Sequence, residues 1–111
     1  MTYYNVLFGY YNGKFDLIEK MTVPMNDRAM YFGDGVYDAT YSVNRTIFAL
    51  EDHLDRFYNS CRLLEIPAPM PREELKKTLY ECVNKVDDPN QFVYWEATRA
   101  VSYTHLTLPT N

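Results

Sequence analysis

Two kinds of hydrophobic spacing divide this chain. Residues 5–18 alternate apolar and aromatic positions around Asn12-Gly13, a pair that supplies the positive φ angles of a tight hairpin, so two short strands are expected. Residues 24–35 carry Pro24, Asn26, Asp27, Gly33, Asp34 and Gly35 with little periodicity and read as an irregular, tightly turned connection. Loops of this kind are where chemistry tends to sit. From Val36 to Val43 the pattern is two-periodic, with Tyr37, Ala39, Tyr41 and Val43 on one face and Val36, Asp38, Thr40 and Ser42 on the other. Asn44-Arg45 turns this half-polar strand back into a short one at residues 46–49.

The period then changes. Leu54, Phe57, Tyr58, Cys61 and Leu64 recur at helical spacing and predict an amphipathic helix over residues 51–65, ended by Ile66-Pro67. Pro71 opens a second helix, with Glu73 and Glu74 in the first turn, where the helix dipole favours negative charge. Leu75, Leu79, Cys82, Val83 and Val86 form its apolar stripe. A loop at residues 87–90 leads to a strand over residues 91–99, with Phe92 and Tyr94 on one face and Val93, Trp95 and Ala97 on the other. Apolar groups on both faces suggest a central strand covered on both sides. The expected fold class is α+β, a mostly antiparallel sheet with two helices.

After Arg99 the periodicity stops. Val101 to Thr110 can be written in codons as GTC TCT TAT ACA CAT CTG ACG CTG CCG ACG, which resembles the transposase adapter of short-read sequencing libraries. An Ala100 codon of GCT would be one genuine G followed by the first two adapter bases. Residues 100–111 are therefore expected to be translated adapter and residues 1–99 a truncated domain, with His105 discarded as a candidate for chemistry.

Composition narrows the function classes. With 47% apolar and 23% charged residues in 111, one globular domain is expected. A net charge of −4 without a Lys/Arg cluster argues against nucleic acid. The first residues lack the basic flank and apolar run of a signal peptide, and no stretch reaches the roughly 20 apolar residues that cross a bilayer, so a cytoplasmic protein without membrane contact is expected. Cys61 and Cys82 fall on apolar helix positions and read as core residues, and His53 and His105 complete no metal-ligand spacing.

The stretch Asn26-Asp-Arg-Ala-Met-Tyr-Phe-Gly-Asp-Gly-Val-Tyr-Asp38 resembles the D-R-x-x-x-F/Y-G-D/E-G-V-Y/F-E motif of class IV pyridoxal-phosphate aminotransferases. Glu51-Asp-His-Leu-Asp-Arg-Phe-Tyr-Asn-Ser60 resembles that family's E-x-H-I/L-D-R-L-x-x-S helix, and Ala97-Thr98-Arg99 its V-T-R-G strand. The resemblance spans residues 1–99. It implies the small amino-terminal domain of a two-domain homodimeric enzyme, with pyridoxal 5'-phosphate held between the domains. The cofactor carries the carbanion chemistry, and the protein binds and orients it.

The resemblance also assigns roles. Arg56 matches the arginine that contacts the cofactor phosphate, a task suited to its planar, bidentate donors. Read alone, an arginine here belongs on the surface; it points roughly opposite Leu54, and Leu63 shares its face, which need not be open to bulk water. Tyr37 matches a tyrosine that lines the substrate pocket of D-amino-acid transaminases, and Tyr41 on the same face competes for that role. Tyr31 and Phe32 read as wall residues. Gly33 and Gly35 are expected to take backbone angles closed to other residues, with Asp34 bracing the turn. His53 is assigned structural support. Asp27 and Arg28 pair either with each other or with the other chain.

No catalytic residue is expected in this segment. The Schiff-base lysine and the carboxylate that keeps the pyridine nitrogen protonated belong to the following domain, and Lys76, Lys77 and Lys85 sit on the polar side of the second helix. The substrates implied are an amino acid, of the D configuration by the Phe32-Gly-Asp-Gly-Val-Tyr37 form, and a 2-oxo acid. Branched-chain L-amino-acid aminotransferase and aminodeoxychorismate lyase are the alternatives within the fold; Asp38, where glutamate is common, and Ala29, where glycine is frequent, depart from the pattern. A reading of a different class is a small binding module without cofactor.

Overall fold

The computed structural model describes residues 6–27 and 33–99. Arg28, Tyr31, Phe32 and residues 100–111, His105 among them, lie outside the described residues. The elements run β1 (Phe8–Tyr11), β2 (Lys14–Leu17), a 3-10 turn (Ile18–Lys20), β3 (Gly35–Val43), β4 (Thr46–Ile47), α1 (Leu50–Leu63), α2 (Arg72–Lys85) and β5 (Asn90–Thr98). This is the expected α+β class, with every strand pair antiparallel.

β1 and β2 form the hairpin that Asn12-Gly13 predicts, both residues having positive φ (49° and 93°). The other sheet has the order β4-β3-β5. β5 is thus an edge strand among the described residues, which corrects the expectation of a central strand covered on both sides. Its inner face, Val93, Trp95 and Ala97, is buried against the helices, while Phe92 and Tyr94 are exposed. β4 is shorter than expected because Ala49 turns into the left-handed region at φ 49° to start α1.

The core lies between this sheet and the two helices. Leu54 (0% exposed) and Phe57 (1%) fill it from α1, and Leu75, Leu79 and Val83 from α2. Each large apolar side chain removed from water there contributes about 1.5–3 kcal/mol. Phe57 meets Trp95 edge to face at 6.1 Å, which ties α1 to β5. Outside the core, Arg72 bonds both Glu51 and Asp55, and Lys76 bonds Glu51, so the two helices are joined across their solvent edge. Cys61 is buried and Cys82 partly so; burial pushes both thiols up, Cys82 to about 11, so neither is a nucleophile at neutral pH.

α1 ends in a Schellman motif built without glycine. Ile66 N–H donates to Cys61 O (2.9 Å) and Glu65 N–H to Arg62 O (3.2 Å), with Glu65 left-handed at φ 54°. Arg99 reaches across from the end of β5 and donates to Leu64 O (2.6 Å) and Glu65 O (3.2 Å). A cation just past the carboxyl end of a helix is favourable for the dipole, and this one fixes the end of α1 against the sheet.

Candidate functional site

β3 turns its polar face inward. Val36, Asp38, Thr40 and Ser42 are buried, whereas Tyr37 and Tyr41 face out. A buried carboxylate needs partners, and α1 supplies them from His53 and Arg56, one helical turn apart and on the same side. Arg56 Nε donates to Asp38 Oδ2 (2.9 Å) and Arg56 Nη2 to Oδ1 (2.7 Å), a bidentate pair. His53 Nδ1 (2.7 Å) and the Ala39 N–H (2.9 Å) also donate to Oδ1. Since a carboxylate only accepts, the proton of His53 sits on Nδ1; the 3.3 Å approach of Arg56 Nη2 to that nitrogen then sets donor against donor and is no hydrogen bond.

Asp38 is 1% exposed. Burial raises its carboxyl, but the hydrogen bonds from Arg56, His53 and Ala39, with the Arg56 charge, outweigh burial and hold it down at about 2. The same bonds raise Arg56 further above its usual range. Arg56 itself is open to solvent, its side chain 67% exposed. In this chain the Arg56 face is open, and Leu63 on it is exposed as well. Asp38 holds the Nε/Nη2 edge, and among the described residues Nη1 has no hydrogen-bond partner. The result is an arginine anchored on its inner side and presenting donors on its outer side.

Tyr37 stands on the outer sheet face, stacked on Tyr94 at 5.5 Å. An open groove of about 310 Å³ runs between the start of β3 and the end of α1, lined by Gly35, Val36, Tyr37, Ser60, Leu63 and Leu64. Tyr37 lines this groove from β3 and Ser60 from α1, and Arg56 lies about one helical turn before Ser60. Tyr41 is occupied differently, stacked on Phe48 at 4.9 Å.

Gly33 takes the expected left-handed angle, φ 66°. Gly35 does not; a Cβ there would lie 3.2 Å from Glu96 Oε2 and 3.3 Å from Ala97 O, so its small size lets β5 approach. Asp34 braces the loop through its carbonyl, which accepts from Arg99 N–H (3.0 Å), and through its carboxylate near Arg99 Nε (3.7 Å). Asp27 is buried and accepts from Thr98 Oγ1 (2.9 Å). Asp38 as the hub and Arg99 as the clamp are the residues that sequence reasoning missed. The available signal for Asp38 was an acid on the strand face paired with a helix bearing His and Arg three residues apart.

The profile of the amino-transferase class IV family matches residues 35–110. A D-alanine aminotransferase of Listeria monocytogenes is 36% identical over 85 residues, covering 75% of this chain and 29% of that protein. Among solved structures, a T.th. branched-chain amino acid aminotransferase in complex with N-(5'-phosphopyridoxyl)-L-glutamate superposes with a TM-score of 0.80 at 25% identity, over 96% of this chain and 38% of that one. A 4-amino-4-deoxychorismate lyase of Pseudomonas aeruginosa gives 0.62 at 25% identity, over 74% and 29%. The chain therefore spans about a third of the length of the relatives it matches.

Proposed function

The chain belongs to the class IV aminotransferase family, and from that premise we propose that it is the small domain of a pyridoxal-phosphate enzyme moving an amino group between a D-amino acid and a 2-oxo acid. The observation that carries this reading is the exposed Arg56 guanidinium, anchored on a buried carboxylate beside the groove that Tyr37 lines. The donor set fits a phosphate: a permanently charged, planar group with unpaired N–H bonds facing out. Pyridoxal phosphate, when bound, supplies the electron sink that stabilises a carbanion at the substrate Cα. Arg56 would bind its phosphate, and Tyr37 would donate from its hydroxyl to the substrate carboxylate.

The following domain would supply the Schiff-base lysine, and residues 100–111 are read as adapter translation. The outer sheet face supports a further domain, since Tyr37, Tyr41, Phe48, Phe92 and Tyr94 are all about half exposed or more, an apolar surface that suits further protein packed over it. Function as a homodimer is part of the same proposal. No helix among the described residues is long and apolar enough to cross a membrane.

The whole product of the source locus, sequenced past the codon for Arg99 and purified, should show cofactor absorbance and transaminate D-alanine with a 2-oxo acid. Absence of both would end this reading. The TM-score of 0.80 to a branched-chain enzyme favours one second reading, an L-branched-chain aminotransferase, and turnover of L-leucine rather than D-alanine would establish it.

A further inference from the structure

We infer that Asp38 is the positioning residue of the Arg56 anion seat: it fixes which edge of the guanidinium is presented to a phosphate. The inference rests on the phosphate role proposed for Arg56. Arginine carries five N–H donors in a rigid fork, at the end of a long flexible side chain. On a solvent-exposed helix face such a side chain samples many rotamers, and an anion binding it must order it. Here that ordering is already accomplished, because Nε and Nη2 are both held on Asp38. What remains outward is the Nη1 end, the part of the fork that can meet phosphate oxygens side by side.

Asp38 is itself held in place. Its Oδ1 accepts from His53 Nδ1 and from the Ala39 N–H as well as from Arg56, so rotation of the carboxylate would break bonds to the helix and to the strand together. The backbone adds rigidity: Asp38 lies opposite Trp95 in the β3–β5 register, and the Trp95 ring meets the His53 ring edge on at 6.4 Å. The arrangement trades charge for geometry. Asp38 cancels the unit charge of Arg56, so the seat would recognise an anion by donor placement more than by net field.

The test uses the whole product of the source locus, freed of cofactor and labelled so that arginine side-chain nitrogens are observed by NMR, with inorganic phosphate as probe at constant ionic strength. In the unsubstituted chain, Arg56 Nε–H should exchange with solvent about tenfold more slowly than that of a surface arginine such as Arg62, and phosphate should shift the Arg56 resonances. In D38N both effects should vanish while the circular dichroism spectrum, which reports the fold, stays unchanged; D38E should restore them at least in part. Arg56 exchange already as fast as that of Arg62 in the unsubstituted chain would overturn the inference without any variant having to fold. So would a phosphate response that survives undiminished in folded D38N. A slow Nε–H with no phosphate response at all in the unsubstituted chain would instead overturn Arg56 as a phosphate seat, the premise, while leaving the Asp38 anchor measured.

Discussion

Replacing Asp38 with Asn should make the chain's stability less sensitive to acid. Asp38 is held at about 2 in the folded chain against an ordinary 3.8, which corresponds to about 2 kcal/mol of stability at neutral pH. The exposed outer face of Arg56 admits solvent and screens the pair, so about 1–2 kcal/mol is the working figure. The sign follows from the depressed value. The contribution is complete above the unfolded-state value and is lost as pH falls through about 4 towards about 2. Urea unfolding followed by emission of Trp95, the single tryptophan, gives the stability of each chain across that range. Glu51 is also lowered, first by its hydrogen bonds to Lys76 and Arg72, but it is present in both chains and cancels in their difference. The gap between the unsubstituted chain and D38N should therefore shrink by about 1–2 kcal/mol between about pH 5 and about pH 2. A gap that stays constant with pH would refute the ionised, bidentate Asp38.

Two more substitutions probe the same sheet. Ser42 Oγ is buried without a hydrogen-bond partner, so Ser42→Ala should leave urea stability unchanged or raise it by about 1 kcal/mol; a clear loss would show that the hydroxyl has a partner. Gly35→Ala places a methyl against Ala97 O, a backbone atom that cannot swing away, and should cost about 1–3 kcal/mol and broaden amide signals around Gly35 and Thr98.

Much of the fold follows from periodicity because each element obeys one period. The stripe of Leu54, Phe57 and Cys61 and that of Leu75, Leu79 and Val83 are the buried faces of α1 and α2. The alternation along β3 separates its two faces but cannot say which turns inward, and hydrophobicity alone points the wrong way. The face with Asp38, Thr40 and Ser42 is buried because Asp38 finds Arg56 and His53, and Thr40 Oγ1 finds Phe48 O at 2.9 Å. Tyr37 and Tyr41 stay outside, each satisfied by stacking on another ring. Placement was legible where local spacing sets it, as with His53 and Arg56 one helical turn apart on α1. It was not where the reason is tertiary, as with Gly35, whose neighbour across the sheet is more than sixty positions away in sequence, and Arg99, whose partners are the carbonyls of Leu64 and Glu65 just past α1.

The central claim is that Arg56, as Asp38 holds it, is the seat of the cofactor phosphate, and the most direct measurement compares cofactor affinities in the whole locus product with and without Arg56→Gln. The substitution should weaken pyridoxal 5'-phosphate by about tenfold or more while leaving pyridoxal, which lacks the phosphate, nearly unchanged. Equal affinity of both proteins for pyridoxal 5'-phosphate, or an equal loss for both ligands, would contradict the account.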